Sequence, residues 1–273
     1  MIWHRGAILP DDGLAIPIAD RAFEHGLGLF ETPRTWAGRP ALLGAHRERM
    51  FRSARELGLA IRPEDFPTGL DVARLLAAEG QPGDRALRIT ATGGTGSAPS
   101  VVWLASRPLP PPLRSAATVQ FGLWPVNFDD PMGRHKALNY WSRRLAHERA
   151  RASGFDEALS LGDGRIWEGS RTNLFVVLGD RIATPSTRGP IVPGVLRALI
   201  LGLAPEVEEL HGIDPALLPA ASEVFLTNAV RGIIPVARVV DRSGLAAFDR
   251  PAPGPRTTRL QALLGASLGD PSP

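Results

Sequence analysis

The sequence predicts a two-domain protein of mixed α+β and α/β character, and three observations carry that expectation. A chain of 273 residues exceeds the common domain size. Strand-like and helix-like segments alternate along it. Between them lies Arg107-Pro108-Leu109-Pro110-Pro111-Pro112-Leu113, whose prolines exclude a helix, withhold N–H donors from a ladder and favour an extended rigid form. These give an N-terminal domain of residues 1–107, a linker of residues 108–116 and a larger C-terminal domain of residues 117–273.

Taken in order, Ile2 to Gly6 reads as a short strand and Phe30 to Trp36 as another, ending at the turn Ala37-Gly38-Arg39-Pro40. Gly44 to Leu59 is helical, with Met50, Ala54 and Leu57 on one side and Arg47, Arg49, Arg52 and Arg55 around the rest. A second helix covers Gly69 to Ala78. Ala86 to Thr92, Val101 to Ala105 and Thr118 to Gly122 read as strands. Beyond the linker, Trp141 to Ser153 is a helix, and Glu157 to Leu161 and Leu174 to Leu178 are strands. Gly162-Asp163-Gly164 and Gly179-Asp180 signal tight reversals. Val195 to Leu203 and Thr257 to Leu264 are helices, Glu223 to Thr227 is a buried strand, and Gly269 to Pro273 reads as a disordered tail.

Composition removes several classes of function. No apolar run is long enough for a bilayer, and the N-terminus lacks the pattern of a signal peptide, so the cytoplasm is the expected compartment. Zero cysteines exclude disulfides and thiol chemistry. Six histidines show no paired metal-ligand spacing, so no metal is expected. Acidic residues are interspersed among the basic ones, the net charge is only +3, and no basic block with interleaved aromatics argues for nucleic acid. His25-Gly26-Leu27-Gly28 and Thr92-Gly93-Gly94-Thr95-Gly96 lack the context of a nucleotide loop and read as turns of close backbone approach.

One residue type stands out. Of 31 basic residues a single one, Lys136, is lysine. Arginine replaces lysine as a cation but is a poor nucleophile, so a lone amine in an arginine-only chain is a candidate covalent catalyst. Composition alone leaves coding bias as an equal explanation.

The neighbourhood decides. Glu168-Gly169-Ser170-Arg171-Thr172-Asn173-Leu174-Phe175, followed by Ile182-Ala183-Thr184 and Val192-Pro193-Gly194-Val195-Leu196-Arg197, resembles the signature of class IV pyridoxal-phosphate aminotransferases. This is the fold-type IV family of branched-chain and D-amino-acid aminotransferases and 4-amino-4-deoxychorismate lyase. Asp20-Arg21, Gly28 to Thr32, His46 to Arg49 and Phe225 to Ala229 extend the resemblance over most of the chain.

The resemblance implies a two-domain fold-type IV enzyme, D-amino-acid-aminotransferase-like, with its active site in the cleft between domains, and a homodimer acting on a small amino substrate. It places Lys136 as the Schiff-base lysine for pyridoxal 5′-phosphate. Glu168 suits the cofactor's ring nitrogen, where a carboxylate favours the protonated pyridinium. The phosphate is expected at the helix opening with Gly194, Val195 and Leu196, clamped by Arg49 and the hydroxyl of Thr227. Leu196 departs from members with Thr or Ser there. Ser170 and Tyr140 join the cofactor ligands by the same resemblance, with packing as the alternative for Tyr140. Phe30, Thr32, Thr92, Asn228 and Ala229 are the implied substrate contacts.

The reaction is read from branch-specific residues. Thr92-Gly93-Gly94-Thr95-Gly96 lacks the arginine and histidine of D-amino-acid aminotransferases, and no glycine-rich run follows the lysine as in branched-chain enzymes. Phe225 to Val236 looks most like aminodeoxychorismate lyase, which yields p-aminobenzoate and pyruvate. The lyase branch also has an arginine near Thr92, leaving Arg88, Arg134 or Arg171, or backbone N–H groups at Asn228 and Ala229, as candidates for the substrate carboxylate. A class IV aminotransferase is the alternative, and a non-catalytic cofactor-binding protein a remote one.

Overall fold

The structure, a computed structural model, describes residues 1–113 and 115–269. All but Gly269 of the tail expected to be disordered lies outside the described residues. Contacts divide the chain into two compact units, one of Met1–Pro110 with His135–Asn139, the other of Pro111–Arg134 with Tyr140–Ser267. The strap carrying Lys136 thus clusters with the first unit, whereas a single cut at the proline-rich run puts it in the second.

The first unit contains β1 (Ile2–His4), β2 (Ala7–Leu9), α1 (Arg21–His25), β3 (Gly28–Glu31), β4 (Thr35–Trp36), β5 (Arg39–Pro40), α2 (Leu43–Glu56), α3 (Gly69–Glu79), β6 (Arg85–Thr92) and β7 (Val102–Pro108). Its antiparallel sheet runs β2-β1-β7-β6-β3. Alternation sends Leu87, Ile89 and Ala91 into a core with Met50, Ala54, Val72 and Leu75 from α2 and α3. Arg88, Thr90 and Thr92 consequently point to the opposite face. The expected strand from Phe30 to Trp36 is broken at Pro33, which has no N–H and whose carbonyl accepts from Leu87. Thr35 and Trp36 instead pair with β5 through a turn in which Ala37 and Gly38 both have positive φ, the backbone a two-residue hairpin requires. Arg49, off the apolar side of α2 and expected as a ligand, is buried at 8% exposure.

The second unit contains β8 (Ala117–Pro125), α4 (Trp141–Ala152), β9 (Glu157–Gly162), β10 (Arg165–Gly169), β11 (Asn173–Leu178), β12 (Arg181–Pro185), α5 (Val195–Leu203), β13 (Val207–Leu210), β14 (Glu223–Asn228), β15 (Gly232–Val240), β16 (Ala246–Asp249) and α6 (Pro255–Leu268). The order β10-β9-β8-β15-β14-β11 closes on itself, because β10 also pairs with β11 through Glu168 and Asn173. Val119, Leu159, Ile166, Leu174, Val176, Leu226 and Val236 fill its core. Both reversals expected from glycine signals are hairpins: Asp163 and Gly164 take positive φ between β9 and β10, and Gly179 does so between β11 and β12. Among the described residues, no helix is long and apolar enough to cross a membrane.

Candidate active site

In the first unit, residues 136–138 lie along β3. The Phe30 N–H donates to the Lys136 carbonyl and the Leu138 N–H to the Gly28 carbonyl, each at 2.9 Å, with Leu29 bridging to Ala137. Gly28 permits this approach. Its φ is +148°, and a Cβ there would lie 2.5 Å from the Ala91 carbonyl oxygen and 2.6 Å from Leu138 Cδ1. The Lys136 ammonium thereby stands 4.5 Å from the centre of the Phe30 ring, and the Arg88 guanidinium 3.5 Å from the same ring.

Beside it, Glu31 is 1% exposed and takes the Arg49 Nε at 2.8 Å, Arg49 Nη2, and His46 Nδ1 at 2.6 Å. Burial alone would push this carboxyl up, but Arg49 and His46 overturn it and hold Glu31 at about 2. Burial, with Arg49 and Lys136, keeps the His46 imidazole below its ordinary range despite Glu31. Arg49 is thus a fixed, buried cation. The opposite sheet face bears a hollow of about 340 Å³ whose lining includes Arg88, Thr90, Trp103, Arg107 and Leu138. Thr92 also lines it, but its hydroxyl donates to Asp20 at 2.5 Å and accepts from the N–H groups of Gly94 and Val101, so it staples the loop after β6. Thr32 sits half-buried just past the end of β3.

In the second unit Glu168 is buried on β10 and receives donors from three residues of its own unit, among others. Arg143 Nη2 reaches Oε1 at 2.6 Å, the Val192 N–H reaches both oxygens at 3.2 and 3.1 Å, and Asn173 Nδ2 reaches Oε2 at 3.3 Å. A glutamate that follows a Gly-Asp-Gly turn is ordinarily exposed; here the barrel closure at Glu168 and Asn173 carries it inside. Asn173 also donates to the Val192 carbonyl at 3.0 Å, and its Oδ1 occupies the space of a Cβ at Gly194, at 1.9 Å. Glycine at 194 therefore makes room for Asn173, a more specific reason than general backbone approach.

Gly194 is the N-cap of α5 and provides no side-chain hydrogen bond, while Val195 and Leu196 are buried in its first turn. Thr227, the cross-strand partner of Asn173, is 1% exposed and its hydroxyl has no hydrogen-bond partner among the described residues. An uncapped helix start and an orphaned buried hydroxyl, both adjoining Asn173, form a donor set suited to an anion. Asn228 uses its Oδ1 to accept from the N–H groups of Val230 and Arg231, which shapes the turn through Ala229.

Tyr140 donates its hydroxyl to the Ser170 carbonyl at 2.8 Å, and burial pushes its phenol up to about 12. The Ser170 hydroxyl is committed to the buried Glu157 at 2.5 Å. Arg143, Asn173 and Glu157 are participants that sequence reading passed over. Asn173 was legible as a fixed position of the signature; Arg143 lay hidden among the many arginines of α4.

The chain is similar to proteins of known name over nearly its whole length. A D-alanine aminotransferase from Bacillus licheniformis is 26% identical over 98% of this chain and 96% of its own length. An aminodeoxychorismate lyase from Vibrio harveyi is 29% identical over 97% and 99% respectively. The crystal structure of the T.th. branched-chain amino acid aminotransferase complexed with N-(5′-phosphopyridoxyl)-L-glutamate superposes with a TM-score of 0.82 at 26% identity, covering 99% of this chain and 95% of that one. The family model for amino-transferase class IV matches residues 28–239, and with most of its length so matched the chain belongs to the aminotransferase class IV family.

Proposed function

We propose that this pyridoxal-phosphate-dependent class IV enzyme acts as an aminodeoxychorismate lyase, releasing p-aminobenzoate and pyruvate. The observation that carries the reading is the hollow lined by Arg88 and Arg107 together with Leu138 of the strap that bears the sole lysine. Aminodeoxychorismate carries two carboxylates, and two guanidinium groups are their complement. The lyase relative, matched end to end, supports the same choice.

When bound, the cofactor supplies a ring that stabilises negative charge at the substrate Cα. Lys136 Nζ would hold the cofactor's aldehyde carbon and would serve as the base for the substrate Cα proton. Glu168 holds the proton of the ring nitrogen. In the second unit the α5 start at Gly194, Val195 and Leu196 and the Thr227 hydroxyl would bind the phosphate, and the family resemblance adds Arg49 of the first unit as a proposed phosphate partner. The orphaned Thr227 hydroxyl supports that assignment most directly. In this reading Phe30 and Thr32 of the first unit and Asn228 and Ala229 of the second are each proposed as substrate contacts, and Tyr140 and Ser170 as cofactor neighbours tied to each other by the Tyr140 hydroxyl.

A second reading, an aminotransferase, is favoured by the D-alanine aminotransferase relative. The two separate on product: p-aminobenzoate fluorescence from aminodeoxychorismate establishes the lyase, whereas conversion of D-alanine or L-glutamate to the keto acid without p-aminobenzoate refutes it. A homodimer belongs to the proposal, with Ile18 and Phe23, 89% and 63% exposed, offering apolar surface for a second copy. Sedimentation equilibrium tests it; a monomer at micromolar concentration contradicts it.

A further inference from the structure

Arg143 has no part in the roles assigned so far, yet its placement is costly. It lies on the buried stripe of α4 with Ala146 and Ala150, at a position where an apolar residue would pack without penalty. Its Nη2 meets Glu168 Oε1 at 2.6 Å and the Gly133 carbonyl at 3.2 Å, and its guanidinium carbon stands 4.9 Å from the Trp124 ring and 5.9 Å from that of Tyr140. The aromatic walls and the carbonyl fix it against Glu168, the carboxylate it touches directly, with Glu157 acting from farther off. Burial disfavours the guanidinium charge, and Glu168 followed by Tyr140 more than restores it.

The consequence falls on Glu168. A carboxylate beside a pyridine nitrogen raises that nitrogen's proton affinity through its negative charge. Here the charge is already opposed by a guanidinium, two N–H contacts from Val192 and the Asn173 amide. A carboxylate so neutralised holds the ring proton less tightly than an unpaired one would.

We infer that Arg143 is a positioning residue that fixes Glu168 and moderates the proton affinity of the cofactor's ring nitrogen, so that the strength of the electron sink is set by a pair and not by Glu168 alone. The inference rests on the reading of Glu168 as the partner of that nitrogen. It is a property of charge, not of packing, and substitutions that separate the two can decide it.

The experiment loads the full-length protein with cofactor labelled with ¹⁵N in the ring and follows the nitrogen shift against pH in wild type, Arg143→Met, Arg143→Gln, Arg143→Lys and Glu168→Gln. Removing a cation this close to the carboxylate is expected to raise the ring-nitrogen pKa by about one unit or more in both neutral variants, a tenfold change in proton affinity. Arg143→Lys, which keeps the charge, stays near wild type. Arg143→Gln keeps a neutral polar side chain, so the test survives if Arg143→Met folds poorly. A ring nitrogen that shifts in Glu168→Gln but not in either neutral Arg143 variant overturns this inference alone. A nitrogen indifferent to Glu168→Gln overturns both the inference and the reading beneath it. Equal shifts in Arg143→Lys and the neutral variants also overturn it, since packing would then explain them.

Discussion

Gly194→Ala concentrates the geometry of the proposed phosphate site into one methyl group. Gly194 has φ −64° and ψ 131°, values any residue adopts, so the substitution carries no backbone strain. Its cost is steric, because the new Cβ would stand 1.9 Å from Asn173 Oδ1 and 3.0 Å from its Cγ. Asn173 must leave, breaking its bonds to the Val192 carbonyl and to Glu168. Overpacking of about 1–3 kcal/mol and two weakened hydrogen bonds together predict a loss of roughly 3–5 kcal/mol. Urea unfolding of the cofactor-free protein reads this as a lower midpoint at constant slope. Gly202→Ala, on the exposed side of the same helix with nothing within 4 Å of its Cβ, is the counterpart and gains about 0.5–1 kcal/mol. The reasoning fails if Gly194→Ala costs less than about 0.5 kcal/mol, the range of ordinary surface changes.

Three other expectations follow from single groups. Thr227→Val removes an orphaned buried hydroxyl, so it leaves the cofactor-free protein unchanged or up to about 1 kcal/mol more stable while weakening cofactor binding about tenfold; urea unfolding checks the first and calorimetric titration the second. Tyr140 is the only tyrosine, so the ultraviolet phenolate signal reports it alone, and it titrates at about 12 in the folded chain. Because that pKa lies above the unfolded value near 10, the unfolded chain ionises first, and roughly 3 kcal/mol of stability is lost as pH rises from about 10 to 12. Glu31 has the opposite sign: its pKa falls from 4.5 to about 2, so its contribution, on the order of 3 kcal/mol, is present above pH 4.5 and lost as pH falls toward 2. Glu31→Gln should flatten the acid limb of stability against pH; an unchanged limb contradicts the role given to the Arg49 and His46 pair.

Much of this was legible from the chain because local rules and tertiary need coincide in it. Helix α2 follows the apolar spacing of Met50, Ala54 and Leu57, and the Asp163-Gly164 turn follows from its positive-φ residues. Pro33 was visible but its effect was not, since a strand of mixed apolar residues reads as continuous until the missing N–H is weighed against its neighbour. Strand β15 was passed over because Gly232 and Pro235 are breaker signals, and the barrel tolerates them where Pro235 faces Phe225. Lys136 was legible from composition and signature together. That its strap lies along β3 through Gly28 was not, because the pairing joins residues far apart in the chain. Arg143 was invisible for a different reason: in a chain that writes nearly every cation as arginine, only burial distinguishes one guanidinium from the rest.

The most direct test of covalent cofactor attachment at Lys136 is borohydride reduction of the cofactor-loaded protein, digestion with an arginine-specific protease and mass mapping. The account predicts a phosphopyridoxyl group on the peptide that carries Lys136, and loss of both label and visible band in Lys136→Ala. Label confined to the only other amine, the N-terminus of Met1 beside Asp11, or a visible band that persists in Lys136→Ala, would contradict it.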